Sequence, residues 1–371
     1  MRELIILCFT ILFLPLSVAA EETGLKVEGG TPGTDYTYDG NICTILKNTS
    51  LTISGTTTTD NIVVGENVTA NITIDGINID LSSMDNKSAI DLKENATLNL
   101  TLANASTLIS GKAVAGIHLS DGSCLTITEG SNGYSLMVTG GGNDEEHGYA
   151  GAGIGRNPQE EGNATLKIEG GDVTANGGKT TRYWGISGDG IGKNAVEVSS
   201  HLTIDISGGS VVANGGDKAF IGYGGNGING IIQINGGSVT AKGKGEADIT
   251  GNVTVEGGTI TDCTFGGEVI IKSGTFTNCT FKNITSLNEE TSSFTTCKLN
   301  FKEYITLTKS YKDCTLSGNM IIKGSTISNN TLNGNIIIEE GTFTNCIFTG
   351  ESFLMNKGTI NNTDGSNIAA K

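Results

Sequence analysis

Beyond its first 20 residues the chain holds two arginines, Arg156 and Arg182, and a single tryptophan, Trp184. All three fall in one Gly-rich stretch, together with Tyr149, Tyr183 and Tyr223. These residue types suit sugars. Aromatic faces stack on the apolar faces of pyranose rings, and a planar guanidinium holds a carboxylate through two parallel hydrogen bonds. The six are therefore the candidate ligand-binding residues. The competing reading is that Tyr183 and Trp184 only pack a loop onto the body of the protein.

The same stretch carries oxygen ligands. Asp144, Glu145 and Glu146 run consecutively, and Asp189 lies on a neighbouring loop. Carboxylates in such numbers suit calcium, the one cofactor expected here; a solvated acidic loop is the alternative. No EF-hand spacing is present. Glycoside hydrolysis needs two carboxylates at a set separation, and no motif supplies them. Asn362-Thr-Asp364 matches the letters of a short polygalacturonase motif, but the partner motifs are missing. Arg156 or Arg182 could serve a lyase as base. His118, His147 and His201 show no metal spacing, and Gly222 to Gly227 matches GxGxxG with no helix to follow it. The expectation is a protein that is not an enzyme.

Composition narrows the partners. The 371 residues carry 23 Lys+Arg against 39 Asp+Glu, a net charge of −16, which opposes nucleic-acid or anionic-membrane binding. Arg2, an apolar run from Leu4 to Leu16 and Val18-Ala-Ala20 read as a signal peptide over residues 1–20. A secreted or cell-surface location follows. The run is too short to span a bilayer, and no other apolar stretch is long enough, so no membrane span is expected.

The elements that position these residues are repeats. Gly251 to Gly266 reads GNVTVEGGTITDCTFG, and Gly334 to Thr349 reads GNIIIEEGTFTNCIFT. Aligned units place Cys263, Cys279, Cys297, Cys314, Asn330, Cys346 and Asn362 in one phase, at steps of 16 to 18 residues. Each unit offers two strand pieces, such as Val253 to Val255 and Thr259 to Thr261. A unit this short buries no core alone. Stacked in register about 4.8 Å apart, the units bury Val253, Val269 and Ile336 in continuous columns. The thiols of such a ladder are expected to be free. Seven cysteines remain beyond residue 20, so they cannot all pair with one another.

Toward the N-terminus the coils lengthen. Strand cores at Leu51, Ile72, Leu98, Leu125, Leu166, Leu202 and Ile232 follow at steps of 21, 26, 27, 41, 36 and 30. Three middle coils repeat the phrase at Gly170 to Gly177, Gly208 to Gly215 and Gly236 to Gly243, with Val173, Val211 and Val239 pointing inward. The excess length reads as loops on one face, where repeat proteins often bind. The division expected is a signal peptide at 1–20, loop-bearing coils at 21–250, short coils at 251–366 and a tail at 367–371. The fold expected is all-β: a single-stranded, right-handed parallel β-helix, a pectin-lyase-like solenoid. An uncapped last rung would lead to end-to-end self-association or to a short cover from Ser366 to Lys371.

Gly151-Ala-Gly-Ile-Gly155, Gly188-Asp-Gly-Ile-Gly192 and Phe220-Ile-Gly-Tyr-Gly224 precede the strand units. The combination resembles Gly-rich repeats of secreted and surface proteins from gut and cellulolytic bacteria. Among these is a non-catalytic carbohydrate-binding β-helix family that binds acidic plant polysaccharide with calcium. The resemblance spans roughly residues 60 to 260 and implies a bacterial polysaccharide-binding module; it assigns no calcium ligand residue by residue. The TFTNC rungs are similar to repeats of surface β-helix adhesins, which implies an adhesive or structural surface protein as the alternative.

Overall fold

The computed structural model describes residues 24–144, 148–181, 184–193, 201–218, 223–245, 247–350 and 352–361. Among them the chain forms 35 strands and one short 3-10 turn, with no α-helix. The strands join in one long, mostly parallel sheet that winds as a stack of coils.

A middle coil contributes three strands. Ile154–Arg156, Ala164–Ile168 and Asp172–Asn176 make one coil; Ile191–Lys193, Leu202–Ile206 and Ser210–Asn214 make the next. Each strand pairs in parallel with its counterpart one coil on. Three walls result, with inward side chains alternating along each strand. Leu166, Ile168, Val173 and Ala175 are buried, while Thr165, Lys167 and Thr174 point out. The expected inward set of Val173, Val211 and Val239 is observed, each at most 1% exposed.

Strand positions were legible, but registers needed correction. Ile72 pairs with Leu100, not Leu98, so the step is 28 rather than 26. Leu166 pairs with Ile204, a step of 38 rather than 36. Ile204 then pairs with Ile232, a step of 28 rather than 30. All three slips are by two residues. A two-residue slip keeps every side chain on its face, so alternation alone could not detect it.

The short coils also hold three strand pieces rather than two. The Thr264-Phe265 pair after Cys263 stacks on Thr280-Phe281 after Cys279, forming a third wall. Further on, strand pairing continues through the corners, giving the 14-residue strands Thr315–Ser328 and Thr331–Thr344. Phenylalanines fill the interior: Phe265 and Phe281 stack at 4.6 Å, and Phe276 and Phe294 at 5.1 Å. Asn362 lies outside the described residues. Just before it, Thr344 pairs with Asn361, a step of 17.

The cysteine phase marks a corner. The residue before each marker, from Asp262 through Asn345, has φ between 52° and 56°. Short polar side chains tolerate this left-handed conformation, and five of the six are Asp or Asn. The seven described cysteines form no disulfide with one another. Within the ladder the thiols turn back on carbonyls, Cys263 Sγ on Thr261 O at 3.1 Å and Cys297 Sγ on Thr295 O at 3.3 Å.

The first coil is covered. Gly24–Glu28 runs antiparallel to Thr49–Thr57, and Tyr36–Asp39 forms an antiparallel hairpin with Ile42–Ile45. Tyr38 locks the cover by donating to Asp60 Oδ2 at 2.6 Å and accepting from Leu25 N at 3.1 Å. Nothing in the alternation pattern distinguished these antiparallel pieces from another coil.

Candidate functional site

The Gly-rich phrases of the middle coils have a shared purpose. Gly151 N donates to Gly141 O, Gly178 N to Gly151 O, Gly188 N to Gly178 O, and Gly216 N to Gly188 O. The sequence alternates between the Gly-Gly corners and the GAGIG-type segments. The two stretches of chain lie face to face and zip through their backbones. A Cβ at Gly177 would stand 1.9 Å from Gly188 O, and one at Gly178 would stand 2.1 Å from Gly141 O. Only glycine permits this approach.

Outside this zipper lies a groove of about 740 Å³. Its floor is the outward column Thr139, Asn176, Asn214 and Lys242, one residue per coil. The amides are linked: Asn214 Nδ2 donates to Asn176 Oδ1 at 2.9 Å, and Asn176 Nδ2 reaches Thr139 Oγ1 at 3.4 Å. The Gly-Gly corners, themselves buried, continue the floor.

Charges line the rim in alternation. Lys112 sits 3.8 Å from Asp144, Lys179 lies 3.6 Å from Asp217, and Asp217 lies 3.2 Å from Lys244. Each of these side chains is half or more exposed or nearly so, between 49% and 71%. Such pairs contribute little to stability and are available to exchange partners. Among the described residues the groove's lining thus carries Lys112, Lys179, Lys242 and Lys244 against Asp144 and Asp217, with Asp85 also 3.9 Å from Lys112. Its balance is positive within a chain of net charge −16.

Among the described residues, Tyr149, Trp184 and Tyr223 lie outside the lining of this groove. Tyr149, Ile186 and Tyr223 occupy one column of three successive coils. Two contacts lie beside this column: Asn143 Nδ2 donates to Tyr149 O at 3.0 Å, and the Thr180 and Ser187 hydroxyls meet at 3.1 Å. Tyr149 is half-buried, Tyr223 is 73% exposed and Trp184 is 55% exposed. Trp184, three residues from rim residue Thr181, adopts φ 66°. A bulky residue in this region is rare.

Two expected site residues require correction. Arg156 is 1% exposed, so it is no surface clamp. Its guanidinium donates to Leu119 O and Glu161 O, which anchors the loop following Ile154–Arg156. Asp189 is also buried. It accepts from Asn226 N at 2.7 Å, Asn226 Nδ2 at 2.9 Å and Asn229 Nδ2 at 3.1 Å. Burial pushes its carboxyl up to about 6 against these donors. It is therefore a structural group, apart from Asp144 on the rim. Arg182, Tyr183, Glu145 and Glu146 lie outside the described residues. Among the described residues no three His, Cys, Asp or Glu side chains gather to hold a metal.

One ionic cluster had no signal in the spacing. His118 stacks on Asp91 in the adjacent coil, with Nδ1 2.8 Å from Asp91 Oδ1 and Nε2 2.6 Å from Glu160 Oε2. Burial would lower the imidazole pKa, but the two carboxylates outweigh it and raise it above the ordinary 6.5. Burial works against both carboxyls too, yet His118 holds them below their ordinary values. Both ring nitrogens are engaged by carboxylates, so His118 has none left to activate a nucleophile. The cluster clasps the loop at Glu160 to the wall.

Compared with family models, with curated proteins and with solved structures, the chain matches none.

Proposed function

We propose that this protein is a secreted or surface-exposed, non-catalytic polysaccharide-binding protein, a right-handed parallel β-helix whose ligand lies along the stack in the groove of the middle coils. The observation that carries this reading is the groove's local charge inversion. Among the described lining residues four lysines face two aspartates there, in a chain with 39 acids and 23 bases. An open trough several coils long fits an extended polymer, and hydroxyls and carboxylates of a glycan would find amides and ammonium groups on its floor and rim. Exposed Tyr223 and Trp184 add faces for ring stacking outside the groove's lining.

Calcium enters this reading through the segment that begins at Asp144. Retention of the protein on immobilised acidic polysaccharides, with and without EDTA, tests both points. Binding that weakens with salt and with Lys179→Gln supports the groove; loss in EDTA adds calcium. No retention on any polysaccharide overturns the reading.

The adhesin alternative has its own support. Thr259 and Thr261, Thr275 and Thr277, then Ser293 and Thr295 stack as two outward ranks on one wall. Lys312 follows Thr295 in register, and hydroxyl residues resume beyond it at Thr326 and Thr342. A chain that binds no glycan but adheres through this face would favour that second reading.

A further inference from the structure

The order of the rim charges along the stack carries information beyond their sum. Gly142 stacks between Lys112 and Lys179: Ala113 N donates to Gly142 O, and Asn143 N donates to Lys179 O. One coil further, Asn176 stacks on Asn214, and then Asn214 on Lys242. Taken coil by coil, the rim therefore reads Lys112, Asp144, Lys179, Asp217, Lys244. Ammonium groups recur every second coil, about 9.6 Å apart at a coil spacing of about 4.8 Å. A carboxylate stands in each coil between them.

A polymer with a carboxylate on every sugar would set some of its charges against Asp144 and Asp217. A neutral polymer would leave the lysines without counter-charge. A polymer whose charge alternates along the chain meets neither cost. Its carboxylates face the lysines, and the intervening sugars offer hydroxyl or amide N–H donors to the aspartates. The floor amides of Asn176 and Asn214 accept and donate toward either sugar. Repulsive groups that reject the wrong partner are a regular source of specificity.

We infer that the groove selects an acidic polysaccharide whose carboxylate recurs once per disaccharide, with Asp144 and Asp217 discriminating against uniformly charged polyuronates. This inference rests on the polysaccharide-binding reading and adds the charge period to it.

The test uses three soluble polymers of matched length: one alternating glucuronate with N-acetylglucosamine, polygalacturonate, and a neutral glucan. Affinities are measured by titration calorimetry with the full chain at fixed ionic strength. The alternating polymer is expected to bind most tightly. Lys179→Gln should weaken it about fivefold. The double variant Asp144→Asn with Asp217→Asn should tighten polygalacturonate and close most of its gap to the alternating polymer. Circular dichroism confirms that each variant is folded. Polygalacturonate binding as tightly as the alternating polymer, unchanged by the double variant, overturns the period while leaving the polysaccharide reading intact. Binding of none of the three overturns both.

Discussion

His118 shows how a residue without a sequence motif becomes legible only in three dimensions. Asp91, His118 and Glu160 are separated by 27 and 42 positions, and stacking brings them within hydrogen-bond reach. Lys93 supports Asp91 at 2.6 Å. The pH dependence follows from the shifts. His118 has a raised value, so its stabilisation is complete below the unfolded 6.5 and is lost as pH rises through the higher folded value. Asp91 and Glu160 have lowered values, so theirs is complete above about 4.5 and is lost as pH falls through the folded values. Asp189, raised to about 6, stabilises the fold below 3.8 and loses that contribution as pH climbs through 6. Thermal unfolding should therefore show its highest midpoint between pH 4.5 and 6.5 and decline toward pH 8. His118→Gln should reduce the decline and cost about 2–4 kcal/mol at pH 6, because it leaves Asp91 facing no cation but Lys93. A flat profile from pH 5 to 8 would contradict the clasp.

Among the elements, the glycine zipper is the part the sequence announced most plainly while concealing its purpose. The phrases at Gly151, Gly188 and Gly170 were visible as repeats. That the first two pack against the corners following the third was not, because the pairing is between backbones and leaves no side-chain pattern. Gly178→Ala should cost about 3 kcal/mol or more in chemical denaturation, since its Cβ would stand 2.1 Å from Gly141 O. Gly245→Ala is the control. Its Cβ would stand 3.6 Å from the nearest atom, so its effect should stay within about 0.5 kcal/mol. The cysteine corners were read more fully. Their spacing fixed the coil length, and Asn330 explains why the thiol is replaceable there. Asn330 accepts from Cys314 N at 2.6 Å and donates to Tyr311 O at 2.8 Å, so an amide serves the same corner. Cys346→Asn should therefore fold with a loss under about 1.5 kcal/mol, whereas Cys346→Leu should overpack a site that is 2% exposed. In the intact protein the buried thiols of the corners should react with a disulfide reagent only after unfolding, as burial holds Cys263 up at about 12, whereas half-buried Cys124 is no part of this prediction.

For the whole molecule, alternation and spacing were enough to give an all-β stack of coils, and they located the lengthened coils that carry the candidate site. They were not enough for the register of the long coils, where a two-residue slip is silent, or for the antiparallel cover at Gly24–Glu28. The site was legible in its region and partly in its residues. Asp144 lines the groove, and Tyr149 and Tyr223 share a column of the same coils. Arg156 and Asp189 were rare or charged residues in the right stretch that turned inward instead. The lysines and asparagines of the floor escaped notice because each is ordinary alone and matters only as one step of a column. Stacking also makes the account directly testable. Hydrogen exchange of the full chain, with and without an acidic polysaccharide at saturating concentration, reports which amides the ligand covers. Protection confined to the lining segments 109–112, 139–144, 176–181, 214–217 and 242–244 is the result predicted; protection elsewhere on the stack, or none at concentrations that saturate binding, would contradict the groove as the binding site.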